Sequence, residues 1–177
     1  PSFLVNLLAR EKMYLPNLEH IEIDQNMLSS FELDQLLPEA VLFQTGYLTI
    51  KKIEEFAPGQ RLLTLDFPNQ EVRISLNMHL LNYLSGAPSK TSSLRFQMIT
   101  ALRSQDMQQV KGLFQSLFSS IPSEWYTKNN MDAYEGYYAS VVYAFLASLG
   151  FDLHPEHSFS HGRADLIIDT KQVVYVL

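Results

Sequence analysis

The fold is decided by residues 130–177, which read NMDAYEGYYASVVYAFLASLG over 130–150 and FDLHPEHSFSHGRADLIIDTKQVVYVL over 151–177. The first part predicts a long helix over 130–149 that closes at Gly150, because apolar residues recur at helical spacing. Its apolar face is expected to carry Tyr134, Tyr138, Val141, Phe145 and Leu149, flanked by Val142 and Leu146. The second part predicts strands over 151–159, 164–168 and 173–177, with Pro155 placing the first at a sheet edge. A long helix followed by a three-stranded meander is therefore expected.

Two further helices are predicted upstream of this stretch. Apolar residues recur at helical spacing in two segments, at Leu94, Met98 and Leu102 and then at Val110, Phe114, Leu117 and Ile121. They indicate a helical hairpin. The small residues, Gly and Pro of Ser85-Gly86-Ala87-Pro88-Ser89 are typical of a linker. The sequence thus predicts one domain over residues 1–85 and a second over 91–177.

The first of these domains is predicted to contain helices and a β-hairpin. Pro38 is suited to open a helix that Gly46 would close. Residues 47–53 and 61–67 alternate between apolar and polar, and the turn at 57–60 would join them into a hairpin. Another helix is predicted to start at Pro68-Asn69. This order fits a winged-helix-like module, although many small α/β units share it. The class predicted for the whole chain is α+β and helix-rich.

Composition restricts the classes of function. The 177 residues include no cysteine, which excludes disulfide frameworks and thiolate sites. The net charge of −6 is unlike that of a protein that grips nucleic acid mainly through a basic surface. No apolar run is long enough to cross a membrane and no signal peptide opens the chain, so a cytoplasmic protein is expected. Because Pro1 and Leu177 both belong to apolar runs, the chain is expected to be a piece of a longer protein.

Two acidic residues interrupt otherwise apolar patterns. Glu135 falls in the first turns of the long helix, where a carboxylate either stabilises the helix N-terminus or binds a cation. Asp165 falls near the start of an apolar strand, where it either caps a turn or serves a site. Together, a helix carboxylate and a strand carboxylate are the oxygen ligands that Mg²⁺ takes beside water and phosphate. Such a metal ion could activate water for attack on a phosphodiester.

At these residues the sequence resembles a known family. The motifs Tyr134-Glu135-Gly136-Tyr137-Tyr138 and His161-Gly162-Arg163-Ala164-Asp165 are similar to the PD-(D/E)XK nuclease-type domain of a large bacterial family, in which an AAA-ATPase-like domain precedes it. Ser120-Ile121-Pro122 with Trp125 resembles the family's entry into the long helix. Residues 43–50 and 67–73 resemble the end of its ATPase region. The resemblance implies that the chain ends with a truncated restriction-endonuclease-like core.

The resemblance also assigns residues to a site. Glu135 and Asp165 match the family's catalytic metal ligands. Apart from the resemblance, Arg163 is a candidate for binding phosphate or for a local ion pair with Asp165. The family's third strand adds an acid and, two positions later, a lysine, neither of which appears before Leu177. The chain has no P-loop motif, so ATP is expected only at a site before Pro1. As it stands, the chain is expected to be catalytically inactive.

Two hypotheses of function remain open at this stage. In the first, the whole protein is a Mg²⁺-dependent phosphodiesterase that acts on nucleic acid. In the second, the chain is a non-catalytic module that binds a protein partner and uses the nuclease-like fold as a scaffold. The net charge of −6 favours the second hypothesis. An acid-x-lysine pair after Leu177 would favour the first.

Overall fold

The chain divides into two compact units, Pro1–Leu76 and Asn77–Leu177, within the helix α4 (Gln70–Ser85). The computed structural model describes residues 2–10, 15–29, 37–86, 88–121, 131–159 and 162–176, with backbone only at 2, 9–10, 29, 131–136, 156–159 and 162–165. The division lies earlier in the chain than the boundary that the sequence predicts at residues 85–91. Each unit combines helices with a three-stranded antiparallel sheet, so the predicted α+β class is confirmed.

The first unit places a short sheet beside small helices. Its described elements are α1 (Ser2–Arg10), a 3₁₀ helix (Leu15–Leu18), β1 (Ile21–Asp24), α2 (Gln25–Ser29), α3 (Pro38–Gln44), β2 (Thr49–Ala57) and β3 (Gln60–Asp66). The sheet order is β1-β3-β2. The predicted hairpin is confirmed: Ala57 pairs with Gln60, and Pro58 and Gly59 form the turn between them. Gly59 has a φ of 79°, which suits the third position of a type II turn.

Strand β1 is an element that the sequence patterns did not predict. Ile21 and Ile23 pair with Leu65 and Leu63 of β3, far along the chain. The alternation of these isoleucines with Glu22 and Asp24 is the local signal for a strand, but it covers only four residues. Such a short run is stable as a strand only when another strand pairs with it. The tertiary fold therefore decided this element.

Helix α3 ends as the sequence predicts. Gly46 has a φ of 80°, a conformation that glycine adopts without a steric penalty. Its amide donates to Phe43 O at 3.1 Å, and the Tyr47 amide donates to Leu42 O at 2.9 Å. This pair of hydrogen bonds is the Schellman arrangement, which satisfies carbonyls that a helix end leaves unpaired. Gly46 is thus confirmed as the end of the helix.

The second unit contains the helical hairpin, the long helix and the meander. After α4 come α5 (Pro88–Ser104), α6 (Met107–Phe118), α7 (Met131–Ala147), β4 (Asp152–Phe159), β5 (Gly162–Asp169) and β6 (Val174–Val176). The strands pair antiparallel in the order β4-β5-β6. The predicted hairpin of helices, long helix and meander are all confirmed. Strand β4 lies at an edge, as Pro155 predicts.

Helix α7 is more deeply buried than the predicted single apolar face implies. Every residue from 143 to 149 is buried, including those that lie between the predicted core positions. The reason is that other elements surround the helix. Phe114 of α6 packs edge-on against Phe145 with a centroid distance of 6.4 Å, and α7 also contacts β4. Over residues 143–149 the buried surface is therefore wider than the predicted apolar face, while Tyr138 and Val142 are only half-buried.

Replacement of the Asp106 N-cap is expected to weaken α6. The Asp106 side chain accepts a hydrogen bond from the Gln109 amide at 2.9 Å. Asp106→Ala should lower the free energy of unfolding by about 1 kcal/mol, while Asp106→Asn should keep most of it because asparagine also caps. Urea denaturation followed by circular dichroism measures both variants. Equal stability of Asp106→Ala and the parent would contradict the assignment.

Candidate functional site

Helix α7 carries Glu135, the first of the two predicted carboxylates. The helix begins at Met131, so Glu135 belongs to its first turns, as the sequence predicts. The side chain of Glu135 lies outside the described residues. Its role as a metal ligand therefore stays a prediction that rests on its backbone position.

Asp165 belongs to the middle of β5, which is the central strand of its sheet. The strand was predicted to begin at Ala164 but begins at Gly162, and the pairs Phe159 with Gly162 and Ser158 with Arg163 precede Asp165. The backbone of Asp165 thus lies inside the strand rather than at its end, and the role of its side chain stays a prediction. Aspartate is a poor strand former, and the three residues after it, Leu166–Ile168, are all buried.

The other residues of the predicted site are described only in part or not at all. Arg163 pairs through its backbone with Ser158, while its side chain lies outside the described residues. The side chain of Asp165 is likewise outside them, as are Trp125 and His161. Convergence of Glu135 and Asp165, and an ion pair between Arg163 and Asp165, therefore stay predictions. Among the side chains that the structure describes, no group of three or more His, Asp or Glu could hold a metal ion.

The helix that carries Glu135 is held at both ends by polar contacts within its unit. Near its start, the Tyr137 hydroxyl donates to Leu84 O, in the last turn of α4, at 2.8 Å. At its end, Arg95 of α5 donates through Nε to Ser148 Oγ at 2.8 Å, and through a terminal nitrogen to Ser148 O. An arginine at this end also interacts favourably with the helix dipole. These contacts position α7 along its axis.

Burial affects the arginine at this contact but does not remove its charge. Desolvation lowers the pKa of the Arg95 guanidinium below its ordinary value. Arginine nevertheless stays protonated at neutral pH, so it can donate all the hydrogen bonds described above. The cation is thus available to stabilise the C-terminal end of α7.

The sheet that carries Asp165 is tied to the helices in a similar way. The Tyr175 hydroxyl of β6 donates to Leu102 O of α5 at 2.6 Å. In the turn before β6, Asp169 Oδ1 accepts from the Lys171 amide at 2.6 Å, and Thr170 Oγ1 donates to Val173 O at 2.9 Å. Lys171 has a φ of 66°, which the turn requires. It thus lies in the turn between β5 and β6.

Sequence reasoning missed the three side chains that hold these elements. Tyr137 and Tyr175 lie in runs that predict only burial, and Arg95 follows Leu94 on an amphipathic helix. For the two tyrosines the sequence does indicate a hydrogen bond from the hydroxyl, because a buried phenol usually needs a hydrogen-bond partner. Neither partner could be named, since Leu84 and Leu102 are distant in sequence and contribute backbone atoms.

The chain is similar along nearly its whole length to part of a longer protein. The chain is 38% identical over 176 residues to a protein of Azotobacter chroococcum mcd 1 described as an uncharacterized protein in the vnfD 5′ region. The match covers 99% of this chain and 34% of that protein. The chain thus spans about a third of the length of this relative. No solved structure matches the chain. Within the described residues, none of the helices has the length and apolar character needed to cross a membrane.

A family model matches the part of the chain that contains both predicted carboxylates. The matched residues are 133–177, from the start of α7 to the last strand, and the model is described as the PD-(D/E)XK nuclease superfamily. The match begins before Glu135 and extends beyond Asp165. Residues 133–177 therefore carry a domain of the PD-(D/E)XK nuclease superfamily.

Proposed function

We propose that the protein to which this chain belongs is a Mg²⁺-dependent phosphodiesterase that acts on nucleic acid, with Glu135 and Asp165 as metal ligands. The observation that carries the proposal is the superfamily match over residues 133–177, which includes both acids. Their backbone positions support it, since one lies in the first turns of α7 and the other on the central strand β5. In this superfamily a helix acid and a strand aspartate hold the metal.

The chemistry follows from the ligands. Mg²⁺ bound by one or two carboxylates keeps sites for water and for a phosphate oxygen. The metal ion would then polarise the phosphodiester and lower the pKa of the attacking water. Arg163, two residues before Asp165, would contact the phosphate. Residues 173–177 contain neither the acid nor the lysine of the family's third strand, so these 177 residues are expected to bind metal without cleaving.

The first unit is proposed to be a winged-helix-like module at the end of an AAA-ATPase-like region. Its element order and the sheet order β1-β3-β2 support this proposal, because the β2–β3 hairpin occupies the place of a wing. Ile53 and Phe56 on that hairpin are 57% and 65% exposed. Any nucleotide site would belong to the longer protein.

Titration with Mn²⁺ tests the metal site in the chain of 177 residues. Mn²⁺ prefers the same oxygen ligands as Mg²⁺ and is visible by electron paramagnetic resonance. Glu135→Gln and Asp165→Asn should each weaken Mn²⁺ binding by at least about tenfold, since each removes a charged ligand. Asp152→Asn is the matched control, because Asp152 is an exposed carboxylate on the neighbouring strand β4.

Each result of this titration has a defined meaning. Loss of affinity in both ligand variants but not in the control supports a shared site. Equal affinity in all four proteins would mean that Glu135 and Asp165 are not ligands. In that case the alternative function, a non-catalytic module that binds a protein partner, would be favoured. The net charge of −6 is the observation that supports this alternative.

A further inference from the structure

The first turns of α7 are tied to the end of α4 by a phenol hydroxyl. Tyr137 donates to Leu84 O at 2.8 Å, and Leu84 lies in the last turn of α4. Carbonyls in the last turn of a helix have no amide donor within that helix. The phenol therefore satisfies an acceptor that α4 leaves open, and the contact is half-buried. Such a directional bond sets the position of α7 along its axis.

This contact lies close to the proposed metal ligand. Glu135 and Tyr137 are two residues apart, about 3 Å along the axis of a helix that rises about 1.5 Å per residue. Gly136 stands between them. A glycine inside a helix costs about 0.5–1 kcal/mol relative to alanine because of its backbone entropy. Gly136 thus lowers the helical propensity of the segment that carries Glu135. Contacts with other elements are therefore more important for keeping this segment helical.

The aromatic ring and the hydroxyl of Tyr137 make separable contributions. The ring packs edge-on against Tyr138 with a centroid distance of 5.8 Å, and Tyr138 packs against Phe118 of α6 at 5.5 Å. These contacts are apolar and would survive in a phenylalanine variant. The hydroxyl donates the bond to Leu84 O. Replacement by phenylalanine therefore tests the directional bond without leaving a cavity.

We propose that Tyr137 is a positioning residue for the metal site, which acts through Glu135 by holding the first turns of α7 against the end of α4. The proposal rests on the metal site proposed above. Residues that orient metal ligands without touching the metal commonly change its affinity by about 10–100-fold. Tyr137 would have this role because its bond lies within one helical turn of the ligand.

The test uses Tyr137→Phe and Tyr175→Phe in the chain of 177 residues. Tyr175→Phe is a matched control, since it also removes a phenol hydroxyl that donates to a helix carbonyl, Leu102 O, in the same unit. Tyr175 pairs with Ile168, three residues along β5 from Asp165, so its bond lies farther from a proposed ligand than that of Tyr137 does. Both variants should lose similar stability, about 1 kcal/mol. Only Tyr137→Phe is expected to weaken Mn²⁺ binding, by about tenfold. Equal Mn²⁺ affinity in Tyr137→Phe and the parent, or an equal loss in Tyr175→Phe, would overturn the proposal.

A double variant shows whether Tyr137 acts through Glu135. If it does, adding Tyr137→Phe to Glu135→Gln should leave the Mn²⁺ affinity of the single Glu135→Gln variant unchanged within about twofold, because the two effects share one ligand. A further tenfold loss in the double variant would mean that the tyrosine affects the metal by another route. That result would also overturn the proposal.

Hydrogen exchange separates failure of this proposal from failure of the metal site. The amides of residues 135–138 should exchange about fivefold faster in Tyr137→Phe than in the parent, and not in Tyr175→Phe. If the parent binds no Mn²⁺, the metal site fails while the exchange rates still decide whether Tyr137 holds the first turns of α7. Unchanged exchange in Tyr137→Phe would refute the positioning role on its own.

Discussion

Asp165→Ala is expected to abolish metal-dependent cleavage of nucleic acid by the longer protein. A metal ion contributes several kcal/mol to the stabilisation of a phosphoryl transition state. Loss of about 4 kcal/mol lowers the rate by about a thousandfold, since each 1.36 kcal/mol is a factor of ten. Cleavage of a labelled single-stranded and a labelled double-stranded substrate, in Mg²⁺ and in chelator, measures the effect.

The control for this experiment is a second aspartate on the same sheet. Asp152 pairs with Asp169 at the far end of the β4–β5 ladder and is exposed. Asp152→Ala should retain cleavage within about twofold, because exposed substitutions away from a site have small effects. Undiminished cleavage by Asp165→Ala would refute its assignment as a ligand. Absence of metal-dependent cleavage in the parent protein would favour the non-catalytic module instead.

Arg73→Met is expected to cause the largest loss of stability in the first unit. Arg73 Nε lies 2.7 Å from Glu19 Oε1, and the two side chains are only 11% and 12% exposed. Removal of one partner leaves a buried charge without its counter-ion, which typically costs about 3–5 kcal/mol. The loss should appear as an earlier unfolding transition of this unit in urea, followed by hydrogen exchange at β1 and β3.

Two comparison variants identify the cause of that loss. The pair Glu19→Met with Arg73→Met removes both charges, and it should recover part of the stability because apolar residues can replace a buried ion pair. Lys52→Met breaks an exposed pair, in which Lys52 Nζ lies 2.9 Å from Glu54 Oε1. It should cost less than about 1 kcal/mol. Equal losses in Lys52→Met and Arg73→Met would contradict the importance of burial.

The Glu19–Arg73 pair also illustrates what sequence patterns omit. In the sequence, Arg73 belongs only to a stretch that resembles the end of an ATPase region, and Glu19 belongs to no motif. The tertiary structure brings them together from the two ends of the first unit. The sequence around Glu19 and around Arg73 does not predict that the two side chains form an ion pair. Only the packing of α4 against the segment before β1 makes this pair.

The sequence predicted the two candidate metal ligands but not the residues that hold their helix and strand in place. The interruptions of apolar patterns at Glu135 and Asp165 could be read from the sequence, and the family model covers both. The strand start at Gly162 rather than Ala164 depends on pairing with Ser158 and Phe159. The anchors at Tyr137 and Arg95 both include a backbone carbonyl acceptor, Leu84 O and Ser148 O. Backbone acceptors leave no side-chain signal, so no pattern could identify them.

The sequence by itself determined the elements whose causes are local. Periodic apolar residues specified α5, α6, α7 and the meander, and Gly46 and Gly59 specified a helix end and a turn because both adopt a positive φ. The tertiary structure alone decided β1, the unbroken burial of residues 143–149 and the bonds of Tyr137 and Tyr175. The physical reason is that hydrophobic periodicity and turn chemistry act between neighbours, whereas strand pairing and buried hydrogen bonds join groups that only the folded chain brings within reach.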